Sequence, residues 1–110
     1  MNSDDLRRLG AAGAVTEFPA GQVVIERGQF GSGVYVILEG TVEVEAPEGN
    51  VEFGSGSLIG ERALLSRAGT RAARVRATSD LRVLAVDRHD FERLCADDPA
   101  FARRLADAGG

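Results

Sequence analysis

From Ile59 to Val75 the chain reads Ile-Gly-Glu-Arg-Ala-Leu-Leu-Ser-Arg-Ala-Gly-Thr-Arg-Ala-Ala-Arg-Val, and this stretch has the residue types to hold an anion. If residues 71 to 77 form a strand, Arg71 shares a face with Ala73, Val75 and Ala77, while Arg74 and Arg76 point the other way with Ala72. A guanidinium on an apolar face needs a carboxylate or phosphate partner. Left unpaired it is strongly destabilising, and a bidentate pair with an oxyanion recovers much of that loss. The small Ala72 and Ala73 leave space beside it. Upstream, Gly60 lets a ligand approach the backbone, and Glu61 opens a one- or two-turn helix through Leu65 whose free amides and dipole favour negative charge. The Glu61 carboxylate is an acceptor suited to a sugar hydroxyl. This is chemistry of capture rather than of bond cleavage, because no acid, base and nucleophile group emerges and His89 stands apart from the segment.

The elements that must position this segment are mostly strands. A short helix is expected from Ser3-Asp4-Asp5, through Leu6 and Leu9, to Gly10. Phe18-Pro19-Ala20-Gly21 reads as a turn with proline second and glycine fourth, before a strand at Val23 to Ile25. Arg27 to Gly33 is a glycine-rich loop, without the strand and long helix around it that a dinucleotide fingerprint requires. Val34 to Leu38 and Thr41 to Ala46, joined at Glu39-Gly40, read as a half-buried hairpin with Tyr35 in the core. Further strands are expected at Val51 to Phe53, Ala72 to Ala77 and Leu81 to Val86. Two helices close the chain. Asp87 caps the first, which carries an exposed His89 and places Phe91, Leu94 and Cys95 on one face; Asp98-Pro99 starts the second, with Phe101 and Leu105 together and Gly109-Gly110 as its stop. Short strands at regular spacing, framed by short helices, predict an antiparallel sandwich or small barrel.

Composition narrows the function. At 110 residues, 44% apolar and 27% charged, the chain is expected to be one domain that buries roughly 65% of its unfolded surface without disulfide or metal. Cys95 is the single cysteine and His89 the single histidine, too few for a zinc site of three or four nitrogen or sulfur ligands. No apolar run approaches the ~20 residues that span a bilayer, and Asp4 and Asp5 deny the N-terminus a signal-peptide character, so a cytoplasmic location is expected. A net charge of -4 argues against direct nucleic-acid binding, and the chain ends before a helix-turn-helix could follow its last helix. Five glutamates and no base lie from Glu39 to Glu52, whereas six arginines lie from Phe53 to Val86 against only Glu61 and Asp80. That asymmetry predicts a local electropositive region for a small anion.

Gly60-Glu61-Xaa-Ala63-Leu64-Leu65, followed by Arg71-Ala72-Ala73-Xaa-Val75, resembles the phosphate-binding cassette of the cyclic nucleotide-binding domain family. The segment Gly33 to Val44 is similar to that family's preceding glycine-rich segment, and with Val23 to Gly31 and the closing helices the resemblance covers about residues 14 to 106. It implies a mainly β fold: an antiparallel β-jelly-roll of the double-stranded β-helix type with short flanking N- and C-terminal helices, as in catabolite activator-type regulators, protein kinase regulatory subunits and cyclic nucleotide-gated channels. By resemblance the ligand-binding residues are Gly60, Glu61, Arg62, Ala63, Arg71, Ala72 and Ala73. Arg71 would hold the cyclic phosphate, Glu61 the ribose 2'-hydroxyl, and backbone amides around Gly60, Ala63 and Ala72 the rest.

The implied ligand is cyclic AMP or cyclic GMP as a regulatory effector, with no cofactor. Cyclic AMP is favoured because Ala72 stands where a guanine-holding threonine is frequent in the family. Ile59 replaces a common phenylalanine, and Arg62 a frequent aliphatic residue. The last helix, ~15 Å long at 1.5 Å per residue, is shorter than usual for the family and would pass its signal to an output protein or a missing output domain. Two plainer readings stand beside this one. Glu61 and Arg71 could pair with each other at the end of the sandwich, or the roll could be a ligand-free module for protein association.

Overall fold

The computed structural model describes residues 3–26, 33–46, 49–60 and 74–108. Helix α1 (Ser3–Ala12) precedes strands β1 (Ala14–Phe18), β2 (Val23–Ile25), β3 (Gly33–Glu39), β4 (Val42–Ala46), β5 (Gly49–Phe53), β6 (Leu58–Ile59), β7 (Arg74–Ala77) and β8 (Leu81–Asp87). Helices α2 (Arg88–Asp97) and α3 (Pro99–Ala108) follow. The strands form two four-stranded sheets, ordered β1-β8-β3-β6 and β2-β7-β4-β5, with every pairing antiparallel. The chain passes repeatedly from one sheet to the other, which is the jelly-roll expected from the resemblance.

The two sheets differ in what covers them, and their sequences show it. The first has a partner on both faces. Tyr35, Ile37, Ile59, Leu81 and Val83 pack toward the second sheet, in a cluster with Ile25, Val42, Val75 and Ala77. Val34, Val36, Leu58, Leu84 and Val86 pack outward against Leu9 of α1, Phe91 of α2, and Phe101 and Leu105 of α3. Strands β3 (GVYVILE) and β8 (LRVLAVD) are therefore apolar almost throughout, as strands buried on both faces are. The second sheet turns one face to solvent, so β4 (VEVEA) and β7 (RVRA) alternate.

Four expectations need correction. β3 and β4 are not a hairpin: at Gly40 the chain crosses between sheets, and β4 pairs with β5 and β7. A break in patterning from a continuous apolar run to alternation is the physical reason. The corner is sewn by Thr41 N donating to Ser79 Oγ at 3.0 Å and Thr78 N donating to Thr41 O at 3.0 Å. The turn after β1 is shifted by one residue, since Gln22 N donates to Pro19 O at 3.2 Å, which puts Gly21 third with φ +90°. Helix α1 runs through Gly10 to Ala12, and Gly13 rather than Gly10 stands directly after its end. The sequence predicts no strand at Leu58–Ile59, yet these two residues form β6.

The closing helices match their sequence signals. The Asp87 carboxylate accepts the Asp90 amide at 2.8 Å, and Asp98 Oδ1 accepts the Ala100 amide at 3.1 Å. Tyr35 is half-buried against Phe18, ring centroids 6.3 Å apart and edge to face. No helix among the described residues is long and apolar enough to cross a membrane.

Candidate functional site

Strand register fixes where the candidate segment attaches. β6 pairs Ile59 with Tyr35, so the chain leaves β6 toward the Gly33 end of β3, where Gly33 is opposite Asp87. β7 begins at Arg74, opposite Glu45, and Val75 is opposite Ile25. Gly60, Arg74, Glu26, Gly33 and Asp87 thus gather at one end of the sandwich, the end opposite the Gly40 corner. An opening of about 350 Å³ lies there, lined in part by Ala14, Gly33, Tyr35 and Ala85.

Of the seven residues assigned from the sequence, Gly60 is described, with φ +92° directly after β6. Glu61, Arg62, Ala63, Arg71, Ala72 and Ala73, with the helix expected from Glu61 to Leu65, lie outside the described residues, as does the Arg27 to Ser32 part of the glycine-rich loop.

Val75 is 5% exposed and Ala77 1%, both facing the sandwich interior. Arg74 and Arg76 face outward and are engaged: Arg74 Nε donates to Glu26 Oε1 at 2.7 Å, and Arg76 Nε to Glu45 Oε1 at 3.2 Å. Arg76 Nη1 also donates to the Gly21 carbonyl at 3.0 Å. The hydrogen bond to Glu26 holds the Arg74 guanidinium charged even beyond its ordinary range.

These pairs belong to the described part of the expected electropositive region; Arg62, Arg67 and Arg71 lie outside the described residues. The acidic and basic stretches are separate in sequence but interleaved across strands: Glu45 of β4 meets Arg76 of β7, and Arg82 of β8 lies between Glu39 at 3.5 Å and Glu17 at 3.7 Å. Three of the six arginines counted from the sequence therefore sit beside carboxylates. At the Gly40 end, a cleft lined by Glu17, Glu39, Asp80 and Arg82 is predominantly acidic and unsuited to a phosphate.

His89 is exposed on the first turn of α2. Burial pushes the Cys95 thiol up, with Glu92 adding to the effect, so it stays protonated at neutral pH and is a poor nucleophile. Among the described residues, no group of three or more His, Cys, Asp or Glu side chains is arranged to hold a metal ion.

Comparison with known proteins agrees with this architecture. The chain is 36% identical over 87 residues to a cyclic nucleotide-gated potassium channel of Rhizobium etli, an alignment covering 79% of this chain and 24% of the channel. It is 32% identical over 114 residues to a cAMP-dependent protein kinase regulatory subunit of Blastocladiella emersonii, covering 98% of this chain and 28% of that one. The chain thus spans between about a fifth and a third of the length of the curated relatives it matches. Among solved structures, the catabolite activator protein of Thermus thermophilus aligns with a TM-score of 0.79 at 26% identity, over 96% of this chain and 52% of that one. A chain solved in work on a cyclic-GMP-dependent signalling pathway that regulates bacterial phytopathogenesis gives a TM-score of 0.83 at 28% identity, over 96% and 88%. The family model for the cyclic nucleotide-binding domain matches residues 15–98, and with the two-sheet roll already in place the chain belongs to that family of regulatory ligand-binding domains.

Proposed function

We propose that this chain is a single sensor domain, core about 14–106, in which Gly60, Glu61, Arg62, Ala63, Arg71, Ala72 and Ala73 hold a cyclic nucleotide. Arg71 takes the cyclic phosphate and Glu61 the ribose hydroxyl. Cyclic AMP is preferred over cyclic GMP, because Ala72 offers no hydroxyl to guanine; one missing hydrogen bond is worth ~1 kcal/mol, so the preference is modest. The helical end from Asp87 to Ala108 changes its docking on binding and passes the signal to an output protein or domain.

The observation that carries this reading is the phase of β7. Val75 and Ala77 face inward, which supports the sequence expectation that, if the same alternation runs back to residue 71, Arg71 and Ala73 share their face. The neighbouring arginines, Arg74 and Arg76, already have carboxylates. The reading of the helical end is supported by position: α2 starts directly after the Gly33–Asp87 pair, at the end of the sandwich where Gly60 lies.

Titration calorimetry with cyclic AMP and cyclic GMP tests the reading. A charge-assisted contact to phosphate contributes ~1.5 to 3 kcal/mol, so Arg71→Gln is expected to weaken binding at least about tenfold. Arg74→Gln and Arg76→Gln should change affinity less than about twofold, because a screened outward charge adds little at a buried site. Equal losses for all three would mean that only diffuse charge matters, and the assignment of Arg71 would be wrong.

A further inference from the structure

The helical layer is closed by charge as well as by packing. Helices α1 and α3 come from opposite ends of the chain, yet four side chains join them: Asp5 and Arg8 from α1, Asp98 from the N-terminal boundary of α3, and Arg104 from within it. Asp5 is a carboxylate with 0% exposure. Arg104 presents one edge of its guanidinium to it, Nε donating to Oδ2 at 3.0 Å and Nη2 to Oδ1 at 2.7 Å. Alongside, Arg8 Nη1 donates to Asp98 Oδ2 at 2.8 Å, and the Arg8 guanidinium carbon stands 5.6 Å from the centroid of the buried Phe101 ring. Arg104 Nη2 also comes within 3.7 Å of Asp98 Oδ2, which ties the two pairs into one network.

This network differs from the other ion pairs in where its charge sits. Among the described residues the carboxylate of every other ion pair keeps at least 24% of its side chain exposed, whereas Asp5 is withdrawn from water. Separating α1 from α3 would leave that carboxylate without its guanidinium, so the contact resists gradual sliding and is either made or broken. Asp98 also caps α3 through the Ala100 amide, which links the start of α3 to α1 by the same carboxylate. Leu9, Phe91, Phe101 and Leu105 share one apolar cluster with the first sheet, and the ionic network adds a charged tie between α1 and α3.

We propose that Asp5, Arg8, Asp98 and Arg104 form a latch that makes α1 and α3 one mechanical unit, so that a displacement of α3 is delivered to the N-terminal helix. Only the source of that displacement rests on the proposed function; the latch itself does not.

Hydrogen exchange on the full chain tests it without nucleotide. Asp5→Asn keeps the shape of the carboxylate, and it and Arg104→Gln should each speed exchange at least about tenfold in both α1 and α3, with β3 and β8 unchanged. The double variant should be no faster than the single ones, because the two side chains act as one contact. Arg8→Gln, at the exposed part of the network, should speed the same two helices less, and it reads the latch if Asp5→Asn fails to fold. Acceleration confined to the helix carrying the substitution would overturn the proposal. With cyclic AMP, wild type should show altered exchange in α1 together with α3, and Asp5→Asn should lose the α1 response. Nucleotide that binds and alters α3 alone would overturn transmission by the latch. A chain that binds no cyclic nucleotide would refute the sensor reading, and the nucleotide-free exchange would still decide the latch.

Discussion

Gly40→Ala is the substitution whose cost can be worked most directly, because Gly40 is where the chain leaves the first sheet for the second. Its φ is +97°, and an added Cβ would lie 2.4 Å from Asp80 O, 3.0 Å from Ser79 Oγ and 3.1 Å from Leu81 Cα. Two costs add. Holding a residue with a Cβ in the left-handed region takes about 1–2 kcal/mol. Pushing backbone aside in a packed corner takes about 1–3 kcal/mol more, since the Asp80 carbonyl is not a flexible side-chain end. The total of about 2–5 kcal/mol, at about 4 °C per kcal/mol for a domain of this size, predicts a melting point lower by roughly 8–20 °C. Gly21→Ala is the control. Its φ is +90° but nothing lies within 4 Å of the added Cβ, so only the first cost applies and the loss should be about 1–2 kcal/mol, roughly 4–8 °C. Thermal unfolding followed by circular dichroism measures both. If the two variants lose the same stability, the close approach of the two sheet corners is not what demands glycine at position 40, and the account of the crossover fails.

Two further outcomes follow from single groups. Ala72→Thr should narrow the preference for cyclic AMP in a competition assay, since it restores a hydroxyl; tighter binding of cyclic GMP than cyclic AMP by the unaltered chain, by about tenfold, would overturn the preference. The hydrogen bond from Arg8 holds the Asp98 carboxyl below its ordinary value near 3.8. A depressed folded-state pKa stabilises the fold above the unfolded value and stops doing so as pH falls through the folded one. The melting-point gap between wild type and Asp98→Asn should therefore be open at neutral pH and close in acid below the ordinary carboxylate range; a gap that persists there would remove the charge of Asp98 from the explanation.

Much of the roll was legible because local chemistry and tertiary role agree in it. Asp87 and Asp98-Pro99 announce helix starts with side chains that do cap amides, and the alternation of Arg74-Val75-Arg76-Ala77 gives the buried face of β7 without any knowledge of its neighbours. The hairpin reading of residues 34 to 46 failed for a reason also present in the sequence. A continuous run such as Val34 to Leu38 belongs to a strand covered on both faces, and Val42 to Ala46 alternates because one face is wet; two strands of one hairpin would share the same cover. Asp5 could not have been singled out. As an acid in the first turn of a short helix it has a sufficient local explanation, and only the fold brings Arg104, ninety-nine residues away, onto it.

The cross-strand pairing of charges also constrains how an anionic ligand is held. Counted along the chain, the arginines from Phe53 to Val86 suggest a diffuse positive field. In the fold, Arg74, Arg76 and Arg82 each lie against a glutamate, and the chain as a whole carries a net charge of -4. Long-range attraction for an anion from these three arginines is thus weak, because opposite charges in contact largely cancel and the remainder is screened over ~8 Å at physiological salt. Under the proposed function, recognition rests instead on contact at short range, with Arg71 as the guanidinium and amides at the turn that opens at Gly60. A small anion held in that way does not need the broad basic surface that dominates nucleic-acid binding.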